Sequence, residues 1–362
     1  MKIVHICKYW FPKTTGVTVH VKNLAKYMMH LGENVHVFFL QGNPNDKKFP
    51  ANKVDISSLK KKLEDLQPDV IHTHGIWEHI YPSWQAAQSI GSRFFITAHG
   101  TWQFLYKTPG MENFKNKLRF WWYYHTKWKK MVRSATGVIA LNTPEEKAYR
   151  KLKAPKIYRI PNGVDCQQFC PDRGLESLSL RDLPEEFLLF VGAVQEQKGI
   201  FILLKALNIL KHQNINLSLI VAGSGPDLEK AQQFFKESSL NVFFLGKIPH
   251  KYIPILMAKA QLFVLPSYYE TCATVYLEAM ASGTPCIGTN TGGTPEIIDH
   301  EENGYLIEPG NAQMLADLLK KIFGTYHYKK YLKKMGQKAR QKVEKNFDWK
   351  VIVPKLLDIY RK

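Results

Sequence analysis

The sequence predicts an α/β protein built from two doubly wound parallel-sheet domains. Short, nearly continuous apolar segments alternate with segments of helical periodicity, which is typical of a parallel sheet covered by helices on both faces. The alternation stops at residues 171–186, a segment that contains Pro171, Gly174 and Pro184, and then begins again, so we interpret this segment as a linker. With 362 residues, 45% of them hydrophobic, the chain is long enough for two cores.

The first half alternates strand and helix from its start. Each predicted strand is a short, mainly apolar run, and these runs lie at residues 3–7, 35–40, 70–73, 94–98, 137–141 and 157–160. Helices are predicted between them, where apolar residues recur every three or four positions, at residues 17–31, 57–66, 80–90 and 113–133. We assign residues 1–170 to this N-terminal Rossmann-like domain.

The second half repeats this arrangement. Its predicted strands are residues 187–192, 217–222, 242–245, 262–265 and 286–288, and its predicted helices are residues 200–211, 227–236, 274–281 and 312–323. We assign residues 187–346 to the second domain and residues 347–362, which contain an amphipathic segment at 349–360, to a C-terminal helix. Two doubly wound sheets that face each other leave a cleft at their carboxyl edges, where such sheets usually bind ligands.

Positive charge is concentrated in the first half. The net charge of the chain is +19, and residues 1–170 contain 26 Lys and Arg against 11 Asp and Glu. This excess indicates an anionic partner: a membrane surface, a phosphorylated acceptor or a nucleic acid. We disfavour nucleic acid because no segment resembles a known reading motif.

Cysteine content and the N-terminus predict a cytoplasmic protein. The five cysteines are odd in number and contain no CxxC pair, so reduced thiols are expected rather than a disulfide framework or a zinc site. The N-terminal segment reads as a strand and not as a secretory signal. No segment approaches the roughly 20 apolar residues of a spanning helix.

The segment 267–285 carries the most specific chemical signal. Glu270 precedes a predicted helix that begins near Thr274, and Glu278 lies inside it. The free N–H groups near Ala273, Thr274 and Val275 suit a diphosphate. Glu278 can accept two hydrogen bonds from a ribose diol, and Glu270 can bind sugar hydroxyls in the same way. Spacing alone does not distinguish these binding roles from ordinary positions. In that alternative, Glu270 is merely an acidic residue of the first helical turn and Glu278 a surface residue.

Several motifs in order then indicate a family. Glu270 and Glu278 have E-x7-E spacing, and Glu278 begins Glu-Ala-Met-Ala-Ser-Gly-Thr-Pro. Related motifs lie at residues 68–75, 159–165, 291–298, 303–310 and 347–349. The chain thereby resembles the retaining glycosyltransferases of GT-B fold called family 4, or glycosyl transferases group 1. The resemblance implies two Rossmann-like domains facing a central cleft, an acceptor-side N-terminal domain, and a C-terminal helix that returns to it.

The resemblance also implies roles for individual residues. Glu270 would contact the donor sugar, Glu278 the ribose and Lys198 the diphosphate, where its ammonium would offset charge on the departing nucleoside diphosphate. His99 would lie beside the transferred sugar as a catalytic contact, and Gly16 would allow close approach to a phosphate. No Asp-x-Asp motif is present, and we expect no metal and no cofactor; the nucleoside-diphosphate sugar is the co-substrate. The implied mechanism is front-face displacement with retention of configuration.

Two other histidines are weaker candidates. His72 and His74 flank Thr73 in a predicted strand, and we expect their rings to face opposite ways.

Two departures from the family pattern bear on the donor site. Ala193 stands where the family often has Arg, and Thr271-Cys272-Ala273 replaces the usual Gly-Phe-Gly. Missing glycines matter if the backbone there needs a positive φ. Because of these departures, a catalytically impaired homologue is an alternative to an active glycosyltransferase. A second alternative is a GT-B enzyme of another reaction, such as a sugar-nucleotide epimerase.

Residues 111–133 suggest where the acceptor is held. They contain seven Lys and Arg, one Glu and three tryptophans. We select as a membrane or acceptor face Trp121, Trp122, Trp128, Lys127, Lys129 and Lys130, since interleaved aromatic and basic residues fit a bilayer interface. The alternative is that half the aromatics are core and the cations a solvated face.

The function expected from all these features is transfer of a hexose-type sugar from a UDP- or GDP-sugar. The acceptor is expected to be a lipid-linked oligosaccharide or lipopolysaccharide in cell-envelope polysaccharide synthesis. The enzyme would then be peripheral on the inner face of the cytoplasmic membrane.

Overall fold

The protein consists of two compact units in a computed structural model that describes residues 1–11, 15–43, 49–100, 118, 121–171 and 183–362. The first unit is Met1–Asn162 together with Trp349–Lys362, and the second is Gly163–Asp348. Both are parallel α/β layers. The predicted fold class, two Rossmann-like parallel sheets with helices, is confirmed.

The first unit contains a seven-stranded sheet of order β3-β2-β1-β4-β5-β6-β7, and its neighbouring strands are parallel. The strands are β1 Lys2–Tyr9, β2 Asn34–Gln41, β3 Ala51–Lys53, β4 Val70–His74, β5 Arg93–Thr97, β6 Gly137–Ala140 and β7 Ile157–Arg159. The central strand β1 pairs on both sides, so that Ile3 lies opposite Val35 and Val70. Its apolar side chains are buried on both faces because helices cover both.

Helices cover this sheet, and their bounds are α1 Gly16–His30, α2 Ile56–Leu66, α3 Ile80–Ile90, α4 Lys129–Ser134, α5 Thr143–Lys151 and, from the end of the chain, α13 Trp349–Arg361. Thr15 caps α1, its Oγ1 accepting the N–H of Thr18 at 3.2 Å, which satisfies one of the free donors of the first turn. Trp349 of α13 is fully buried in the same apolar cluster as Leu24 of α1. This shared cluster is why the end of the chain belongs to the first unit.

The second unit contains a six-stranded parallel sheet of order β10-β9-β8-β11-β12-β13. Its strands are β8 Leu188–Val191, β9 Leu219–Ala222, β10 Val242–Gly246, β11 Leu262–Val264, β12 Cys286–Thr289 and β13 Gly304–Ile307. Its helices are α6 Ile200–His212, α7 Leu228–Ser238, α8 Ile253–Lys259, α9 Thr274–Ala281, α10 Thr294–Ile297, α11 Ala312–Phe323 and α12 Tyr328–Asn346. The helix predicted at 274–281 has those bounds in the structure.

Short elements were missed from the sequence. Strands β3 and β13 were not predicted, and β3 has three residues with only Ala51 buried. Helix α5 was missed because its surface is mostly polar, although Asn142 caps it through the N–H of Glu145 at 2.8 Å. The helix predicted at 113–133 is a π-helical turn, Tyr124–Trp128, followed by α4; residues 113–117, 119 and 120 lie outside the described residues.

The boundary between the units differs from the predicted one. Contacts place it after Asn162 rather than at residue 170. The reason is that residues after Gly163 bond to the second unit: Val164 donates its N–H to Phe347 O at 2.9 Å, and Arg340 donates to Phe169 O at 3.1 Å. Most of the predicted linker, residues 172–182, lies outside the described residues.

Candidate active site

A partly buried ion pair, with a buried carboxylate, is the centre of the candidate donor site in the second unit. Glu270 follows β11 and is 7% exposed. Its Oε1 accepts hydrogen bonds from Lys198 Nζ at 2.5 Å and from Ser267 Oγ at 2.7 Å. A buried carboxylate needs such partners because desolvation of an unpaired charge is costly. Two residues predicted to act together, 72 positions apart in the chain, are therefore in contact.

Two glycines allow the backbone to close around this pair. Gly199, directly after Lys198, has φ +75°, and a Cβ there would lie 1.9 Å from Pro266 O. Gly292 has φ +60°, and a Cβ there would lie 1.9 Å from Glu270 O. Its neighbour Gly293 donates its N–H to the same oxygen at 2.9 Å. Only glycine fits such close backbone contacts.

Helix α9 begins four residues after Glu270. Its N-cap, Ala273, has φ −68° and makes no side-chain cap, so the first N–H groups, at Thr274 and Val275, receive no cap from it. Within the described chain, residues 271–273 are not among the non-glycine residues with positive φ. The replacement of Gly-Phe-Gly by Thr-Cys-Ala therefore imposes no backbone strain of that kind.

Glu278 lies one turn inside α9 and is 6% exposed. Its Oε1 is 3.9 Å from Nε2 of His250, a half-exposed residue that follows β10. Glu278 is thus not the freely exposed position that spacing alone allowed. A carboxylate in this position can accept hydrogen bonds from vicinal hydroxyls.

His99 follows β5 in the first unit and has an unusual backbone. Its φ is +58°, a region that costs a non-glycine residue about 1–3 kcal/mol and that clusters at functional sites. Its Nε2 lies 3.1 Å from Nδ1 of His74, and its ring contacts the ring of His20 edge-on with centroids 4.8 Å apart. Among the described residues, the partners of His99 are thus other imidazoles.

Further histidines complete this cluster, which sequence reasoning missed. Nδ1 of His5 is 3.0 Å from Nε2 of His74, and the rings of His72 and His74 have centroids 4.2 Å apart. The expectation that His72 and His74 face opposite ways is wrong, because residues two apart in a strand share a face. That period, together with the pairing of His5 with His72 in the sheet, is the signal that could have found the cluster.

Burial keeps these imidazoles neutral. It lowers the pKa of His5 to about 3 and that of His20 to about 4. Desolvation first, and neighbouring imidazoles second, lower the pKa values of His74 and His99 well below the usual value. Neutral imidazoles are also metal ligands. Two groups of three have ligand atoms within 4.8 Å of one another: His5, His72, His74 and His20, His74, His99.

The remaining predicted nucleotide contact, Gly16, begins α1. A Cβ at this position would have no described atom within 4 Å. No atom of the described residues therefore gives a steric reason for glycine at this position.

The predicted membrane face requires one correction. Trp121 and Trp122 are about half exposed, at 52% and 53%, but Trp128 is 2% exposed and belongs to the core. The reason is helical spacing: Tyr124, Trp128 and Met131 lie on one buried side of the segment. All three lysines lie over aromatic rings. Lys127 Nζ lies 4.3 Å from the ring centroid of Tyr81, and Lys129 and Lys130 lie over other rings. Within the described residues, no helix is long and apolar enough to span a membrane.

Comparison with known proteins assigns both halves of the chain. Residues 14–168 match the family model Glycosyltransferase Family 4, and residues 178–342 match the model Glycosyl transferases group 1. The chain belongs to the family 4 glycosyltransferases of GT-B fold. The family that the motifs of this glycosyltransferase indicated is therefore confirmed.

Named relatives agree with this assignment. An uncharacterized glycosyltransferase of Methanocaldococcus jannaschii is 29% identical over 229 residues, covering 61% of this chain and 55% of that protein. N-acetyl-alpha-D-glucosaminyl L-malate synthase of Bacillus anthracis is 26% identical over 97% of this chain and 94% of its own length. Anabaena HepE, solved in complex with UDP-glucose, has a TM-score of 0.80 at 19% identity and covers 99% of this chain and 98% of its own; this likeness shows the fold alone.

Proposed function

We propose that this enzyme transfers a hexose-type sugar, with retention of configuration and without a metal, from a nucleoside-diphosphate sugar to a hydroxyl of a membrane-associated saccharide. The acceptor class is a lipid-linked oligosaccharide or lipopolysaccharide of cell-envelope polysaccharide synthesis. The observation that carries the donor half is the ion pair between Lys198 and the buried Glu270. Glu270 lies four residues before a helix N-terminus that has no side-chain cap.

The pair supplies the charges that the reaction needs. An ammonium has three N–H donors, so Lys198 can bind a diphosphate oxygen while still donating to Glu270. It then stabilises the charge that develops on the departing nucleoside diphosphate, work that a metal ion does elsewhere. Glu270 accepts hydrogen bonds from the donor sugar, and the N–H groups of Thr274 and Val275 bind the diphosphate.

Glu278 is the proposed ribose contact, and His99 the proposed contact to the transferred sugar. The buried carboxylate of Glu278 can accept both hydroxyls of a ribose. Because Glu278 would read the ribose and not the base, it leaves the choice of UDP- or GDP-sugar to other residues. HepE was solved with UDP-glucose, which supports UDP-glucose as the first donor to test.

Trp121 and Trp122 support the acceptor half of the proposal. Both rings are about half exposed, Lys127 Nζ lies 5.7 Å from the ring centroid of Trp122, and Lys129 and Lys130 follow in the same segment. Indole rings fit the headgroup depth of a bilayer. Each basic residue near an anionic surface adds roughly 1 kcal/mol of attraction. We propose that this surface holds the enzyme on the inner face of the cytoplasmic membrane, near its acceptor.

Donor binding is tested by thermal unfolding with UDP, GDP and their sugars, with and without EDTA. A ligand at about 100 times its Kd adds about 2.7 kcal/mol of stability, several degrees in Tm. A shift with one nucleotide that EDTA leaves unchanged supports the metal-free donor site. No shift with any nucleotide would contradict it and favour an impaired homologue, for which the exposed Ala193 is the structural reason.

Reaction type is tested with the donor that binds. Release of nucleoside diphosphate only when lipid-linked saccharide is added indicates a transferase, and the anomeric coupling of the product by NMR reports retention or inversion. Isomerisation of the donor without acceptor would instead indicate an epimerase.

Membrane attachment is tested by sedimentation with vesicles of 30% anionic lipid. The double variant Trp121→Ala/Trp122→Ala should bind several-fold more weakly than the wild type, and 0.5 M salt should weaken the wild type. The control is Tyr326→Ala, since Tyr326 is 91% exposed but lies in the second unit. Equal binding by all three proteins would contradict a membrane role for Trp121 and Trp122.

A further inference from the structure

Four side chains of the first unit form a line of hydrogen-bonding groups that ends at His99. Met28 Sδ lies 3.4 Å from His5 Nε2, His5 Nδ1 lies 3.0 Å from His74 Nε2, and His74 Nδ1 lies 3.1 Å from His99 Nε2. Met28, His5 and His74 are fully buried. His5 and His74 each make contacts in this line through both ring nitrogens, whereas His99 makes one contact in it, through Nε2.

The thioether fixes the direction of the line at its buried end. A methionine sulfur can accept a hydrogen bond but has no hydrogen to donate. This contact is therefore a hydrogen bond only when the proton of His5 lies on Nε2, facing Met28. A neutral imidazole carries one N–H only, and burial keeps His5 neutral by lowering its pKa to about 3. Nδ1 of His5 is then the acceptor, so the N–H that it receives is Nε2–H of His74.

The same argument repeats at each step. Since Nε2 of His74 carries the proton, its Nδ1 accepts, and the donor that faces it is Nε2–H of His99. We propose that Met28, His5 and His74 are positioning residues that hold His99 in its Nε2–H tautomer, so that its Nδ1 accepts a hydrogen bond from a hydroxyl of the sugar substrate.

The consequence is chemical selectivity at His99. An acceptor nitrogen binds a hydroxyl, which can donate, and it rejects a fluorine or hydrogen at the same sugar position, which cannot. A buried site built to bind a hydroxyl discriminates strongly against the analogue that lacks it. His72 stands outside the line, since its ring nitrogens bond to Tyr360 and Thr97. The selectivity rests on the proposed function of His99, whereas the tautomer itself does not.

Nitrogen NMR of the wild-type protein tests the tautomers directly. Histidine labelled with nitrogen-15 gives distinct signals for Nδ1 and Nε2 in each tautomer, and single His→Asn variants assign them. We expect the Nε2–H form for His5, His74 and His99. A Nδ1–H form at His99, or rapid exchange between forms, would overturn the proposal. Because this measurement needs no turnover, its outcome is independent of the proposed reaction.

Met28→Leu tests whether the line matters for function. This substitution keeps the volume of the side chain and removes the sulfur acceptor. We expect mixed tautomers at His99 and a fall in kcat/KM of about three- to tenfold, the usual worth of one hydrogen bond, with melting temperature close to wild type. Leu24→Met, on the same buried face of α1, is the matched control and should change neither. Wild-type tautomers and wild-type kcat/KM in Met28→Leu would overturn the proposal.

Elemental analysis tests the competing use of these nitrogens. The ligand atoms of His20, His74 and His99 are close enough to hold one metal ion. Stoichiometric zinc in the purified protein that is lost in His74→Asn would place a metal where the His74–His99 proton should lie, and would overturn the proposal. Zinc well below one equivalent is the expected result.

Discussion

The two units hold their buried polar groups in opposite ways. In the second unit a charged carboxylate, Glu270, is balanced by the ammonium of Lys198. In the first unit, around His99, buried imidazoles lose their charge and bond to one another. The first arrangement suits the anionic diphosphate that we propose as its ligand. The second suits the neutral sugar hydroxyl that we propose for His99, which has no charge to balance.

The difference also explains why one region is easier to recognise than the other. Glu270, Ala273 and Glu278 lie in one continuous segment whose spacing is visible in the sequence. The imidazoles come from β1, α1, β4 and the loop after β5, and only the folded first unit brings them together. A pattern of local spacing therefore finds the first kind of site, and tertiary structure is needed for the second.

Lowering the pH should destabilise the first unit more than the second. This is the largest effect that we expect. Burial lowers the pKa values of His5, His20 and His79 to about 3, 4 and 4. Since these folded values lie below the unfolded value near 6.5, their contribution to stability is complete above pH 6.5 and is lost as the pH falls. Between pH 7 and pH 5 each costs about 2 kcal/mol, because the unfolded chain binds a proton that the folded chain does not.

Glu145 acts in the opposite direction over the same range. Burial raises its pKa to about 7. Its contribution to the stability of the folded state is therefore complete below its unfolded pKa and is lost as the pH rises. It offsets about 2 kcal/mol, so these four groups together lose about 4 kcal/mol of stability between pH 7 and pH 5. The lowered pKa values of His72, His74 and His99 act in the same direction as those of the other histidines and add to this loss. Hydrogen exchange at pH 7 and pH 5, corrected for intrinsic rates, should show β1 and β4 losing protection while β8 and β11 keep theirs. Equal losses in both sheets would break the comparison.

Removing the ammonium tests the charged site. We expect Lys198→Ala to lower kcat by about 10²–10³-fold, since one donor to a developing charge has that worth. The buried Glu270 then lacks its ion-pair partner, so a fall in Tm accompanies the loss. Lys205→Ala, an exposed lysine on α6, is the matched control and should retain wild-type activity. Activity of Lys198→Ala within threefold of wild type would contradict the role of the pair.

Glu278 is the next test, and it separates ribose from diphosphate. Hydrogen bonds to a charged group are worth about 1.5–3 kcal/mol, so Glu278→Ala should weaken UDP binding by about ten- to a hundredfold in calorimetry. The wild type should lose a similar factor with 2′-deoxy-UDP, and Glu278→Ala should lose little more with that ligand. Independent, additive losses would mean that Glu278 does not contact the ribose.

The fold was largely predictable because its strands are apolar and its helices periodic. Eleven strands were predicted, and β3 and β13 were missed because short strands carry little pattern. The placement of Trp128 needed the structure: in sequence it is one more aromatic among cations, yet it shares the buried side of its helix with Tyr124. Likewise, no spacing rule shows that Lys198 reaches Glu270 across 72 residues; family resemblance indicated both residues, and the geometry shows their contact.

A substitution at Ala193 tests the comparison by adding a charge, and its expected effect is the smallest of those predicted. It lies exposed directly after Gly192, in the loop that leads from β8 to Lys198, where the family often has Arg. If the second unit binds a diphosphate mainly by charge, Ala193→Arg should tighten UDP binding by about three- to tenfold, as one added charge-assisted hydrogen bond would. The gain should shrink in 0.5 M salt. Ala193→Gln matches the side-chain reach without the charge and should bind like the wild type. A gain in both variants would assign the effect to packing rather than charge, and no gain in either would mean that the diphosphate lies out of reach of position 193.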